Sequence, residues 1–272
     1  MIAAIRSEFV KVTTTRLWWV LALGLFGYVG FTAGLLAGLL GALGSQIAQR
    51  PGSPQVPMDL VAPVVYSTVA AVGYVFPLIL GTVATTSEIR YRTLTPTFLA
   101  QPRRGTVLGA KLIVLTAAGA LFGVIGLVAS VGIGAPILAA TGNDAVLQSP
   151  DTWALAGRVV IAMALWAAIG VGVGSLIQNQ VAAIVSVLVF TQFIEPILRF
   201  GSSVWDWTAS VGRFLPGAAS DALVGTTIYN AFGIGSSARD PLQWWQGGLV
   251  LLVLALGAAF AAYLTTWTRD IS

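Results

Sequence analysis

The chain has 272 residues, 57% of them hydrophobic and 9% charged, where a soluble domain carries about 25% charged residues. Mean hydropathy is +0.87 and several apolar stretches exceed the ~20 residues that cross ~30 Å of hydrocarbon, so the chain reads as an all-α polytopic membrane protein, one transmembrane domain over 1–272. With no His and no Cys, the composition excludes Ser/His/Asp and Cys/His catalytic arrangements, histidine or thiolate metal sites and disulfides, and 14 basic against 10 acidic residues is too sparse for a nucleic-acid footprint.

Residues 1–16 place Ile2, Ile5, Phe9 and Val12 on a narrow stripe at helical spacing, with Arg6, Glu8 and Lys11 around the remainder. This predicts a helix lying in the membrane interface. The apolar run 17–43 is far longer than a signal-peptide core and is expected to stay as the first span. A polar, proline-containing stretch precedes the second span, 60–86, where Pro77 lacks a backbone donor and is expected to kink the helix. The third span, 107–135, stays apolar toward 140, so it is tilted or ends before Pro136. The fourth covers 153–177, and only Gln178, Asn179 and Gln180 separate it from the fifth, 181–196, which predicts a tight antiparallel hairpin. The stretch 197–243, carrying Phe200, Trp205, Trp207, Phe214, Leu215, Leu223, Ile228 and Phe232, is too apolar for a free loop and too interrupted to span. Two readings of it stay open: short helices re-entering the outer leaflet above a pathway, and an interfacial cap that shields the bundle. The last span is 244–267.

Six spans put both termini on one side. Arg6, Lys11, Arg16, Arg90, Arg92, Arg103, Arg104, Lys111 and Arg269 fall on that side with three acids, Glu8, Glu88 and Asp270. Arg50, Arg158, Arg199, Arg213 and Arg239 fall on the other side or enter the membrane from it, with the remaining seven acids. The positive-inside rule makes the first side cytoplasmic and places 45–59, 141–152 and 197–243 outside. Trp18, Trp19, Trp153, Trp244, Trp245 and Trp267 fall near span ends, where amphipathic rings settle.

The cytoplasmic loop 87–104 reads SEIRYRTLTPTFLAQPRR. Thr95 as an N-cap hydroxyl and Pro96 at the first helical position start a short helix, about 96–101, which Pro102 ends. It presents Phe98 and Leu99 among arginines and suits a groove on another cytoplasmic protein. The alternative is a basic loop that only holds topology against anionic head groups.

With the interfacial first helix, six spans, this loop and the hairpin GVGVGSLIQNQVAAI over 170–184, the whole chain resembles the membrane (permease) subunits of type-2 ABC exporters, the drug-efflux and antibiotic-resistance permease group. The resemblance implies that 87–104 is the coupling element seated in a cleft of the ABC ATP-binding subunit, contacting it through Glu88, Arg90, Arg92, Pro96, Phe98, Leu99, Arg103 and Arg104. It also implies two copies of that subunit holding ATP and Mg, a second permease subunit in a homodimer or heterodimer, and export of an amphiphilic or hydrophobic solute (drug, antibiotic, lipid or peptide) across the bacterial cytoplasmic membrane. Membrane lipid is then a partner and nucleic acid is not.

This chain should hydrolyse no ATP itself and carry no cofactor. A phosphate-cradling loop needs Gly, four residues, then Gly-Lys-Ser/Thr, whereas Lys11 precedes Val-Thr without glycines and Lys111 is followed by Leu112. A path at the dimer axis would be lined by faces of spans two and five, with Tyr74, Phe76, Phe190, Gln192 and Phe193 as candidates. Gly119 with Gly123, and Gly170 with Gly174, have the spacing at which helix backbones approach closely in lipid, within the chain or across a dimer seam. Glu195 and Arg158 are ionisable residues in or beside spans, each with a local neighbour, Arg199 four residues on and Asp151 seven before. An ion-gradient carrier and an intramembrane enzyme restricted to carboxylates, Lys, Ser or Tyr remain the alternatives.

Overall fold

The computed structural model describes residues 1–48, 58–91, 93–177, 179–201, 211–226 and 242–267. Arg50, Arg92, Gln178, Trp205, Asp206, Trp207, Ile228, Phe232, Arg239, Asp240, Arg269 and Asp270, with much of 197–243, lie outside the described residues. The helices are α1 (Ile2–Thr14), α2 (Leu17–Ala48), α3 (Met58–Val72), α4 (Val75–Arg90), α5 (Leu94–Ala100), α6 (Arg104–Ala140), α7 (Pro150–Leu176), α8 (Gln180–Val189), α9 (Glu195–Gly201), α10 (Pro216–Val224) and α11 (Trp244–Ala262). A π-helical turn, Phe190–Ile194, joins α8 to α9, and a second, Tyr263–Trp267, extends α11. There is no strand among the described residues. Six helical stretches are long and apolar enough to cross a membrane: Leu17–Ala42, Leu60–Arg90, Arg104–Ala140, Pro150–Leu176, Gln180–Arg199 and Trp244–Thr265. The chain is an all-helical, multi-pass membrane protein.

Three prolines act differently from the sequence expectation. Span two is broken at Gly73 and Tyr74 rather than at Pro77, so that Pro77 sits in the first turn of α4. The displacement follows from proline chemistry: the ring removes the bond to the carbonyl four residues back and clashes with it, and that carbonyl belongs to Gly73, which instead accepts from Phe76 N at 3.1 Å. The third span does not stop before Pro136, because α6 carries that proline inside and continues to Ala140. Span five passes Glu195 and Pro196, reaching Arg199. The π turn accommodates Pro196: the Glu195 N–H reaches back to the Phe190 carbonyl and the ladder is reset just before the proline.

Helix α7 is the centre of the bundle, with α4, α6, α10 and α11 all packed on it. The glycine pairs explain how closely. A Cβ on Gly119 would lie 2.6 Å from the Met163 carbonyl, and one on Gly174 2.6 Å from that of Thr82, so both pairs close helices within this chain. Gly172 does the same against Ala258 of α11. The remaining core is mainly aliphatic and aromatic, with Leu25, Val65, Leu78, Phe122, Met163, Trp166 and Leu251 fully buried beside hydroxyls such as those of Ser67, Thr82 and Ser175, which donate to carbonyls of their own helices. Asn179 caps α8, its Oδ1 accepting from Val181 N at 3.0 Å and Ala182 N at 3.2 Å, but α8 packs on α4 and only slightly on α7, so the short connection does not make the predicted tight antiparallel hairpin.

Candidate functional site

Four charges from three helices meet at the C-terminal end of α4. Lys111 Nζ of α6 donates to Glu8 Oε2 at 2.6 Å and lies 3.0 Å from Glu88 Oε1. Lys11 Nζ donates to Glu8 Oε1 at 2.5 Å and to Glu88 Oε1 at 2.9 Å. Glu8, Glu88 and Lys111 are all buried, so each ion must be both paired and hydrogen-bonded to be tolerated. Burial works to raise the Glu8 carboxyl, but the Lys111 charge and the hydrogen bonds from both lysines outweigh it and hold the group below its ordinary value. Burial works to lower the Lys11 ammonium, and its hydrogen bonds to Glu8 and Glu88 with their charges reverse that and hold it above.

This arrangement divides the predicted stripe of α1, with Val12 packed against the core and Ile5 partly buried. The charged flank, Glu8 and Lys11, faces α4 and α6, while Ile2 and Phe9 are exposed. Glu88 lies at the root of the loop 87–104, and nothing in the local sequence connects it to Glu8 or to the lysines. The available signal was the rarity of lysine: the chain has two, and both are here.

The loop 87–104 follows directly. Helix α5 begins at Leu94, two residues ahead of the predicted start; Thr93 takes the cap position without a side-chain capping bond, and Pro96 falls within the first turn, where it lacks no needed donor. Thr93 N is bonded to the Glu88 carbonyl at 3.0 Å, which ties the cap to the end of α4. Phe98 turns back onto the chain: its ring meets that of Trp267 edge-on at 5.6 Å, and the Arg104 guanidinium lies over it at 5.1 Å while Arg104 Nη1 donates to the Trp267 carbonyl at 2.7 Å. Leu99 points the other way and is 81% exposed. Arg90, Pro96 and Arg103 are exposed, with Arg90 over the Tyr91 ring, and Arg92 is outside the described residues. The loop therefore has an inward anchor, Phe98, and an outward apolar group, Leu99.

A second buried cluster lies near the N-terminal end of α4, roughly 20 Å along that helix by its rise. Arg199 Nη2 meets Glu195 Oε1 at 2.9 Å and Nη1 meets Asp221 Oδ2 at 2.6 Å, tying α9 to α10. The predicted Glu195–Arg199 pair is thus present, with Asp221 joined to it and Ala218 N donating to Glu195 Oε1 at 2.8 Å. Arg158, by contrast, makes no ion pair with Asp151 among the described residues and lies over the Trp244 ring at 5.2 Å. Of the path candidates, Tyr74 stacks on Trp166 at 4.5 Å and its hydroxyl receives Gln192 Nε2 at 3.1 Å. Phe76 faces α2 instead, 6.2 Å from the Tyr28 ring. Phe190 is half-buried and Phe193 is exposed. The fold therefore brings Tyr74 and Gln192 together and sends Phe76 elsewhere. Beside them a void of about 30 Å³ touches Tyr74, Trp166, Glu195, Arg199 and Asp221, room for a water or two.

Among the described residues no group of three carboxylates could hold a metal ion. Compared with the models of known protein families and with curated proteins, the sequence matches none.

Proposed function

We propose that the chain is the permease subunit of an ATP-driven exporter of the type-2 ABC kind, carrying an amphiphilic or hydrophobic solute outward while separate ATP-binding subunits hydrolyse MgATP. The observation that supports it most is α5. A seven-residue helix between two spans is too short to hold itself, yet this one is pinned from behind by Phe98, Arg104 and Trp267 and offers Leu99 outward between arginines. A held helix with one exposed apolar side chain and a basic rim is suited to a groove on a partner. Its contact set in this reading is Pro96, Leu99, Arg90, Arg92 and Arg103. Phe98 and Arg104 hold the helix, and Glu88 fastens its root.

The cytoplasmic sidedness of α1, α5 and the C-terminal end of α11 belongs to the same reading, as does a dimer with the path beside Tyr74 and Gln192. These three elements share one end of the bundle through Lys11–Glu88 and Phe98–Trp267, and that end carries the excess of basic residues.

The test is purification of the tagged full chain from its native membranes in mild detergent. An ATP-hydrolysing subunit should be retained, and Leu99→Asp should release it while the chain keeps its thermal midpoint. Export activity and nucleotide hydrolysis unchanged in Leu99→Asp would overturn the coupling role. Solute transport by the isolated chain, driven by an ion gradient with no ATPase present, would overturn the exporter reading.

A further inference from the structure

The ion quartet is one wall of a cavity of about 260 Å³ that lies beneath α1. Leu17, Leu80, Ala84 and Leu115 give the same lining a hydrocarbon part, with Thr15, Ser87 and Thr93 also on it. Leu80 precedes Glu88 by eight residues on the same helix, so the change from ionic to apolar lining extends over about 12 Å of α4. Ligand pockets usually run from about 300 Å³ upward, and this one takes a polar head and the first part of a chain. A cavity with ions at one end and aliphatic side chains at the other, opening at the end of the spans, has the shape and polarity of an amphiphile.

The ions indicate which head it fits. Both lysines meet Glu88 through Oε1, whereas Glu88 Oε2 is buried with no hydrogen-bond partner among the described residues. A buried carboxylate oxygen left alone is unfavourable until a donor reaches it. An ammonium has three N–H groups, and Lys11 uses two of them on Glu8 and Glu88 while its side chain stays 36% exposed. The orphan acceptor and the partly open donor are therefore close together. Two carboxylates and two ammoniums balance, so an occupant of net charge would unbalance the site and a zwitterion would not. A primary ammonium can donate to Glu88 Oε2; a quaternary one has no N–H.

We propose that this cavity binds a zwitterionic phospholipid whose head carries a primary ammonium, the ammonium at Glu88, the phosphate at Lys11, and the start of one chain along Ala84 and Leu80. The site is independent of the exporter reading, because it needs neither a partner nor transport.

The test uses the purified full chain in nanodiscs of phosphatidylglycerol mixed with one of four lipids of identical chains: phosphatidylethanolamine, its monomethyl and dimethyl forms, or phosphatidylcholine. Bound lipid is read by native mass spectrometry after extraction into detergent. The first three should be retained within about threefold of one another, and retention should fall about tenfold at phosphatidylcholine, where the last N–H is lost. Ala84→Phe, which fills the hydrocarbon end and leaves the quartet intact, should lose bound lipid throughout the series. Glu88→Gln should flatten the series, and if that variant fails to fold, Ala84→Phe carries the test. Equal retention of all four lipids, preferential retention of phosphatidylglycerol, or undiminished retention by Ala84→Phe would each overturn the proposal.

Discussion

At one end of α4 two carboxylates meet two ammoniums, and near the other end two carboxylates share one guanidinium. The quartet joins α1, α4 and α6 through side chains alone. The triad joins α9 to α10 through Arg199, with the Ala218 backbone N–H supplying a further contact on Glu195 and a void of about 30 Å³ alongside. Both satisfy the requirement that buried ions be partnered, but only the quartet is neutral. An isolated buried charge costs far more than a paired one, so the balanced cluster should be the firmer fastening and the unbalanced one the looser. The two ends differ in what backs the ions: α1 is held mainly by the quartet and its packing on α6, whereas α10 also packs on α7 and the last span, and its Ser220 hydroxyl accepts from Trp166 Nε1 at 3.1 Å.

The largest expected effect comes from unbalancing the quartet. Lys111→Met leaves two buried carboxylates with a single partly exposed lysine and should cost about 3–5 kcal/mol, read as a fall in the thermal midpoint of the purified chain. A midpoint within error of the unmodified chain would mean that the quartet does not fasten α1. Arg199→Met removes three hydrogen bonds to carboxylates, but burial already pushes the Asp221 carboxyl up to about 6, so it can take a proton once the guanidinium is gone, and the expected loss is smaller, about 1.5–3 kcal/mol; adding Asp221→Asn should recover part of it. If Arg199→Met proved the more damaging of the two, the ranking of the two ends would be reversed.

The smallest effect is the pH response of α1. Because the folded Glu8 carboxyl is depressed from 4.5, its contribution is complete above pH 4.5 and is lost as pH falls through the folded value. Because the folded Lys11 ammonium is raised from 10.5, its contribution is complete below pH 10.5 and disappears as pH climbs past the folded value. A nitroxide on Ser7→Cys, in a chain with no other cysteine, should show α1 immobile between these limits and mobile beyond them. Glu8→Gln should abolish the acid limb and leave the alkaline one.

Hydropathy made the six spans legible, since each is an apolar run longer than the bilayer requires, and Thr-Pro followed by Gln-Pro marked the short helix between spans two and three. What stayed hidden depends on juxtaposition. Glu8 and Lys11 are neighbours on one helix face, but nothing local says that Glu88 and Lys111 will arrive beside them. Glu195 and Arg199 are four apart and could be paired on the page, whereas Asp221 is 22 residues further along and reaches them only because α10 turns back into the bundle. The break at Gly73 was within reach of the sequence: counting four residues back from Pro77 gives it, and reading the kink at the proline itself does not. Phe98 was assigned outward because its partner, Trp267, is contributed by the far end of the chain.

The last span is fastened near both ends. Gly247 lets α10 lie against it, so closely that a Cβ there would meet the Leu223 backbone nitrogen at 2.7 Å, and Trp267 is held by Phe98 and Arg104. Its apolar length, Trp244–Thr265, is 22 residues, or about 33 Å, close to the hydrocarbon thickness of an ordinary bilayer. Helix α6, by contrast, is 37 residues long, about 55 Å, well beyond what any bilayer needs. A span that matches the bilayer and is clamped at both ends cannot lean to suit a thinner or thicker one. The last span therefore matches an ordinary bilayer with little tilt, whereas a helix of the length of α6 must tilt or let its ends stand clear of the hydrocarbon.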